Sequence, residues 1–117
     1  MEKNLQELSK AKDEMVAKGQ IIDAAEKYFA SDVKTIDFDG TVTNGKQATM
    51  KKLKDFVGAI QTVNDISLHR SSADGDVSFS EYVFSFVMAD GSEIYWHEII
   101  RSLWKDSQII EERYFTA

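Results

Sequence analysis

The stretch that decides the fold runs from Asp76 to Phe115 and reads DVSFSEYVFSFVMADGSEIYWHEIIRSLWKDSQIIEERYF. Polar and apolar residues alternate along it with a period of two, which is typical of strands that bury one face. Asp90-Gly91 and Lys105–Ser107 interrupt the alternation with turn-forming residues. The stretch therefore predicts three consecutive antiparallel strands joined by tight hairpins.

One face of these strands is predicted to combine carboxylates with aromatic rings. With a two-residue turn at Asp90-Gly91 and a three-residue loop at Lys105–Ser107, that face holds Trp96, Glu98, Ile100, Ser102, Glu112 and Tyr114. A two-residue turn at Asp106-Ser107 would instead put Arg113 and Phe115 beside this set. Burying a carboxylate among apolar groups is costly unless it is paired, hydrogen-bonded or protonated. We therefore expect this face to line a pocket.

The other face of the same strands is predicted to be apolar. The register above assigns to it Tyr82, Phe84, Phe86, Met88, Tyr95, His97, Ile99 and Leu103. So apolar a face is not left in water, and three helices can cover only one side of the sheet. We therefore expect a homodimer through this outer face, formed by Tyr82, Phe84, Phe86, Tyr95, His97 and Ile99.

The N-terminal half predicts three helices and two further strands. Apolar positions recur at helical spacing over Met1–Lys18, over the segment from Ile21 to Phe29 and over Lys46–Ile60. Val33–Phe38 reads as a short strand, and Thr62–Ser71 as the first strand of the meander. We expect one α+β domain over residues 1–117, with three N-terminal helices packed on a strongly curved, mostly antiparallel sheet that ends in a meander.

Composition limits the partners and the compartment. The net charge of -6 and the pI near 4.8 argue against binding to a phosphate backbone, so nucleic acid is not expected as a partner. There is no cysteine, which fits a reducing compartment. The segment from Met1 to Glu14 has no apolar core of the secretory kind, and no run reaches membrane-spanning length. A cytoplasmic protein without a membrane partner is expected.

The order of elements resembles that of the nuclear-transport-factor-2-like (cystatin-like α+β) superfamily, whose domains are cone-shaped. The resemblance rests on three sequence segments, Ala24–Val33 (AAEKYFASDV), Asn44–Lys46 (NGK) and Trp104–Glu111 (WKDSQIIE). The usual glycine of the last hairpin is Ser107 here. The likeness covers nearly the whole chain and is greatest to the SnoaL-like, polyketide-cyclase-like branch. It implies a fold and no single function, since this scaffold hosts isomerases, cyclases, hydrolases, dehydratases and binding modules.

The resemblance also implies a role for Asp37, which falls where the superfamily's steroid isomerases hold their general-base aspartate. Those isomerases place an oxyanion-stabilising tyrosine in the first helix, whereas the first tyrosine here is Tyr28, beyond that helix. Their second oxyanion donor, an aspartic acid, falls at Ile100. Because such donors supply a large part of the rate enhancement, steroid isomerisation is not expected.

Three carboxylates, Asp37, Glu98 and Glu112, are the candidates for acid–base chemistry. Like charges at close range raise one another's pKa toward the range in which an acid or a base works near neutrality. The alternative is structural, with Asp37 capping a turn and the glutamates paired with Arg101, Arg113 or a dimer partner. The residue types leave both interpretations open.

A small hydrophobic or planar molecule is the expected ligand. Its predicted contacts are Trp96, Glu98, Ile100, Glu112, Tyr114 and Tyr28, because aromatic rings with polar tips suit such a ligand. The alternative is that the aromatic residues are plain core. His69 and His97 are the only histidines and share no ligand spacing, so no metal and no other cofactor is expected.

Three functions fit these features. The first is a small-molecule-binding domain whose mainly hydrophobic cavity contains a few carboxylates. The second is a small enzyme of the cyclase, dehydratase, isomerase or hydrolase type, with a pocket carboxylate as general acid or base. The third is a dimerisation or adaptor module whose own side chains fill the cavity.

Overall fold

A computed structural model describes residues 4–117 of the chain; the first three residues of the predicted first helix lie outside this range. The described part has three helices, α1 Leu5–Ala17, α2 Ile21–Tyr28 and α3 Lys46–Gly58. It has six strands, β1 Phe29–Ile36, β2 Val42–Asn44, β3 Ile60–Asp74, β4 Val77–Met88, β5 Glu93–Lys105 and β6 Gln108–Thr116. All three predicted helices and all the predicted strands are present.

The strands form one curved sheet in the order β2-β1-β6-β5-β4-β3. β1 and β6 run parallel, and every other neighbouring pair is antiparallel. The three helices pack on one side of this sheet, which confirms the predicted α+β architecture and the C-terminal meander. None of the helices in residues 4–117 has the length and apolar character needed to cross a bilayer.

Local sequence signals explain where the helices begin and end. The side chain of Asn4 caps α1 by accepting a hydrogen bond of 2.9 Å from the Glu7 N–H. Gly19 follows α1 with a φ of +82°, and Gly45 precedes α3 with a φ of +88°. Because glycine adopts positive φ without steric cost, these two residues allow the sharp changes of direction that stack α2 and α3 on the sheet.

The hairpin between β4 and β5 has a three-residue loop, Ala89–Gly91, instead of the predicted two-residue turn. The Met88 N–H donates to the Ser92 carbonyl (2.8 Å), and the Gly91 N–H donates to the Met88 carbonyl (2.9 Å). Gly91 closes the loop with a φ of +87°. The register is therefore shifted by one residue from the predicted one.

This shift corrects the prediction for β4. Phe84 lies opposite Trp96, and Tyr82 lies opposite Glu98, so these two residues of β4 face the helices. Tyr82, Phe84, Phe86 and Met88 are buried in the core and are not on the outer face. A slip of one residue moves every side chain of a strand to the opposite face, which is why the whole set was misplaced. On β5, Tyr95, His97, Ile99 and Leu103 lie on the outer face as predicted.

The hairpin between β5 and β6 combines a tight turn with a bulge. Asp106 and Ser107 form a two-residue turn with φ values of +52° and +65°. The register then shifts between the Trp104–Ile109 pair and the Leu103–Glu111 pair, so that Ile110 has no partner of its own. The extra residue restores the side-chain parity that the shorter turn would have changed.

The predicted inner face is therefore confirmed for β5 and β6, although its pairs differ. Glu112 lies opposite Ser102, and Tyr114 lies opposite Ile100. Arg113 and Phe115 lie on the outer face, where the Arg113 guanidinium is 5.2 Å from the centre of the Phe115 ring. Glu98 and Glu112 therefore face the helices, whereas Glu93 and Glu111 of the same strands lie on the outer face.

Candidate functional site

A cavity of about 270 Å³ lies between the helices and the concave face of the sheet. Its walls are mainly apolar and include Val16, Ala24, Leu53, Phe84, Phe86 and Ile100. Its polar residues are Lys12, Thr35, Asp37, Thr49, Lys52, Glu98, Glu112 and Tyr114. The protein's own side chains leave this space open, so the interpretation of a module with a filled cavity is wrong. The space is that of a ligand-binding domain or a small enzyme.

Glu112 is the carboxylate of the cavity whose two oxygens both accept hydrogen bonds from the protein. Its Oε2 accepts hydrogen bonds from Lys12 Nζ (3.1 Å) and Ser102 Oγ (2.9 Å), and its Oε1 accepts one from the Tyr114 hydroxyl (2.8 Å). Lys12 and Glu112 are both buried and form an ion pair between α1 and β6. The charge of Glu112 is therefore balanced inside the protein. Burial, together with the Glu112 carboxylate, raises the pKa of Tyr114 well above its ordinary value and keeps its proton in place.

Glu98 lies on the same face and has no such partners. Its residue is 6% exposed, and within residues 4–117 no side chain or backbone group donates a hydrogen bond to its carboxyl. Burial, and next the negative charge of Glu112, raise the pKa of Glu98 to about 7, although Lys12 opposes the shift. A carboxyl with this pKa can give or take a proton near neutrality.

Asp37 lies at the edge of the cavity, directly after β1. Its N–H donates to the Thr41 carbonyl (2.9 Å), which fixes the turn that follows the strand. Its carboxylate forms an ion pair with Lys52 of α3. The three predicted carboxylates thus line one cavity in three different states: Asp37 ion-paired, Glu112 hydrogen-bonded and ion-paired, and Glu98 without a partner.

The alternative pairing of the glutamates with arginine is wrong. Arg101 lies opposite Arg113 on the outer face of the sheet, on the other side from the cavity. The Arg101 guanidinium is 5.3 Å from the centre of the Phe115 ring. Alternation along β5 and β6 keeps both arginines away from the glutamates.

A flat aromatic wall closes one end of the cavity. The Trp96 ring is stacked on Phe56 of α3, with centroids 5.3 Å apart and planes inclined by 18°. Phe38, at 6.0 Å from Trp96, extends the wall toward the surface. Because aromatic faces prefer flat apolar partners, this wall suits a planar ligand.

The remaining predicted ligand contacts divide between the cavity and the core. Ile100 and Tyr114 line the cavity, but Tyr28 does not. The Tyr28 ring packs edge-on against Trp104 with centroids 5.7 Å apart, in a second core cluster under α2. The structure thus corrects the prediction for Tyr28, because its α2 position directs the ring toward that cluster. Trp104 is a packing residue, and its indole N–H donates to Ser78 Oγ (2.9 Å).

Sequence reasoning missed Lys12 and Asp13, which bring polar groups from α1 into the interior. Asp13 accepts hydrogen bonds from Ser80 Oγ (2.9 Å) and the Tyr82 hydroxyl (2.6 Å). Burial raises the pKa of Asp13, although Lys12 and these hydrogen bonds oppose the shift. A signal was present, because Lys12 lies four residues from both Leu8 and Val16 and so falls within the apolar stripe of α1.

Comparison with known proteins gives structural relatives. No protein-family model matches the sequence, and no curated protein matches it. A Mesorhizobium loti protein named a SnoaL-like polyketide cyclase, with carbohydrate phosphatase as a second name, superposes with a TM-score of 0.86 at 25% identity, over 97% of this chain and 99% of the other. A Jannaschia sp. CCS1 protein named a SnoaL-like polyketide cyclase gives a TM-score of 0.78 at 11% identity, over 99% and 90% of the two chains.

A third structure is a Catenulispora acidiphila protein with a ketosteroid isomerase-like fold, solved in complex with trimethylamine. It superposes with a TM-score of 0.75 at 15% identity, over 95% of this chain and 85% of the other. The three likenesses extend over 85% or more of each chain, and they agree with the fold described above. The chain has the fold of the nuclear-transport-factor-2-like superfamily, and these likenesses support its SnoaL-like branch.

Proposed function

We propose that the chain binds a small, largely apolar molecule and recognises one polar group of that molecule through Glu98. The observation that carries this proposal is the buried Glu98 carboxyl, which faces the cavity without a hydrogen-bond partner among the described residues. Because the carboxyl lines the cavity and receives no hydrogen bond from the described residues, a ligand can form one with it in largely apolar surroundings and gain binding free energy.

The ligand's chemistry is inferred from the walls of the cavity. The stacked rings of Trp96 and Phe56 favour a flat ring system. With a pKa of about 7, Glu98 both donates to a carbonyl and accepts from a hydroxyl at neutral pH. Both the Mesorhizobium and the Jannaschia protein are named as SnoaL-like polyketide cyclases, which supports an oxygen-bearing ligand. We expect hydroxylated or carbonyl-bearing aromatic compounds and lactones to bind.

A thermal-shift screen of planar lactones, phenols and aromatic acids tests this proposal. At a hundred times its dissociation constant, a ligand stabilises the protein by about 2.7 kcal/mol. For any compound that raises the Tm, Trp96→Ala is expected to abolish the shift, because it removes half of the aromatic wall. Tyr95→Ala is the matched control, since Tyr95 is the next residue but points out of the opposite face and is 70% exposed. If the ligand still raises the Tm of Trp96→Ala, the ligand binds outside this cavity and the proposal is contradicted.

A second candidate function is catalysis with Glu98 as general acid or base. The observation that favours it is the raised pKa of Glu98, which allows proton transfer at the pH of the cell. Glu98→Gln keeps the shape and one hydrogen-bond donor of the side chain but cannot exchange a proton. If a bound compound is converted by the native protein, Glu98→Gln should retain affinity and lose turnover. A ligand that binds and is never converted would contradict catalysis and support binding as the only function.

The homodimer remains a proposal, with its residues corrected. The outer face of the sheet carries Phe79, Tyr95, Ile99, Leu103 and Phe115. It also carries both signs of charge, in Glu81 and Arg101, which suits a self-complementary interface between two copies. The cytoplasmic location also remains a prediction from the sequence.

A further inference from the structure

Three potential metal ligands converge on the outer face of the sheet, away from the cavity. His69 of β3, Glu81 of β4 and His97 of β5 each offer one ligand atom, and these atoms all lie within 4.8 Å of one another. The two histidines are the only ones in the chain, and 27 residues of sequence separate them. The sheet register therefore brings together groups that no short motif joins.

The strand geometry explains how the three side chains meet. His97 lies opposite Val83, so its diagonal neighbour on the same face of β4 is Glu81. On β3 the register shifts between Leu68 and Arg70, which leaves His69 as the extra residue of a β-bulge. Since bulges redirect side chains, His69 reaches the same face as Glu81 and His97.

The distances suit a small cation. The imidazole centroids of His69 and His97 are 5.6 Å apart with planes inclined by 35°, and Glu81 Oε2 lies 2.6 Å from His97 Nε2. Zn²⁺ holds nitrogen and oxygen ligands at about 2.0–2.2 Å, so its donor atoms in a tetrahedral site lie roughly 3.3–3.5 Å apart. Small side-chain rotations take the three donor atoms from the observed spacing to this one.

The charges suit a cation as well. Glu81 Oε2 is directed at His97 Nε2, so the carboxylate supplies a negative charge beside the imidazole that would share the ion. The side chains of His97 and Glu81 are 39% and 27% exposed, so an ion bound here stays accessible to water. The net charge of -6 favours cations over the whole surface.

We propose that His69, Glu81 and His97 form a binding site for a divalent first-row transition ion of the Zn²⁺ class, with the fourth coordination position open to solvent in a single copy of the chain. Two imidazoles and one carboxylate are a ligand set that Zn²⁺ uses when it retains a bound water. The bound ion would join β3, β4 and β5. This proposal replaces the expectation from sequence that the chain holds no metal, which rested on residue spacing alone.

Titration of the metal-free protein with Co²⁺, followed by displacement with Zn²⁺, tests this proposal. Bound Co²⁺ in a four-coordinate site gives visible absorption, so we expect one saturable equivalent per chain and its loss when Zn²⁺ is added. Single substitutions His69→Ala, His97→Gln and Glu81→Gln should each weaken Zn²⁺ binding by roughly tenfold or more, measured by calorimetry.

Glu93→Gln is the matched control, because it removes one carboxylate from the same face of β5, four residues from His97, without removing one of the three ligands. It should leave the Zn²⁺ affinity unchanged. His69 is exposed, so His69→Ala is expected to fold normally and to report on the site alone. Absence of a saturable Co²⁺ spectrum, or an affinity that His69→Ala does not change, would overturn the proposal.

Discussion

At the scale of single residues, Glu98 and Glu112 show how partners decide what a carboxylate can do. Both are buried on the same face of neighbouring strands. Lys12, Ser102 and Tyr114 all donate to Glu112, so both of its carboxylate oxygens have partners in the interior. Glu98 receives no hydrogen bond from the described residues and lies near the charge of Glu112, so it holds its proton up to about pH 7.

Glu98→Gln should therefore change how stability depends on pH. The pKa of Glu98 is about 7 in the folded protein and about 4.5 in the unfolded chain, so the folded state holds a proton that the unfolded chain releases between these values. Stability consequently falls as the pH rises through this window. Glutamine cannot ionise, so above pH 8 the variant should be more stable than the native protein by on the order of 3 kcal/mol.

Urea unfolding at several pH values measures this effect. The gap between Glu98→Gln and the native protein should close toward pH 4, where both side chains are neutral. Glu93→Gln, at an exposed position of the same strand, should show no comparable gap. Stability curves that run parallel for the native protein and Glu98→Gln would contradict the raised pKa.

At the scale of elements, the position of α1 over the sheet depends on a buried ion pair. Lys12 projects from the apolar stripe of α1 and contacts Glu112, which lies 100 residues later on β6. This contact places the helix across the concave face and provides one wall of the cavity. Removing one partner of a buried pair leaves the other charge uncompensated in a medium of low polarity.

Lys12→Met should therefore destabilise the protein by roughly 3–5 kcal/mol in chemical unfolding. Adding Glu112→Gln removes the stranded charge, so the double variant should recover much of the loss. Lys10→Met, at an exposed position of the same helix, is the control and should have little effect. A double variant no more stable than Lys12→Met would show that the pair does not anchor the helix.

The hairpins show at the same scale how a few loop residues decide which side chains face the core. The three-residue loop at Ala89–Gly91 decides which side chains of β4 face the core. The sequence prediction placed them on the wrong face because Asp90-Gly91 is also a favourable sequence for a two-residue turn. At the second hairpin, the bulge at Ile110 compensates for a turn one residue shorter than predicted. The inner-face position of Glu98 and Glu112 was thus predicted correctly, through a turn and a pairing that differ from those expected.

At the scale of the whole molecule, the two faces of the sheet have different surroundings. The concave face and the helices enclose the cavity. The outer face is not covered by any helix of the described chain and combines apolar side chains with the His69–Glu81–His97 cluster. A second copy is the occupant that we expect on this face, since an isologous interface matches apolar and charged residues with their own counterparts.

Light scattering after size exclusion should therefore give the mass of a dimer. Ile99→Lys places a charge in the centre of the outer face, where its desolvation in an interface is costly, and should give a folded monomer. Lys54→Glu, on the exposed side of α3, should leave the dimer intact. A monomeric mass for the native protein at concentrations of about 100 µM would rule out a dimer with dissociation constant well below that value.

The sequence by itself determined the element order, the meander and the inner-face parity of β5 and β6, because these follow from hydrophobic period and turn chemistry between near neighbours. Only the tertiary structure decided that Tyr82 and Phe84 belong to the core, that Lys12 partners Glu112, and that His69 meets His97. Each of these outcomes depends on a loop length or a bulge that shifts the register by one residue, or on contacts between distant parts of the chain. The local sequence pattern does not predict a register shift, because inserting or removing one residue turns every side chain of a strand to the opposite face. It does not predict the long-range pairs either, because these depend on how the elements pack.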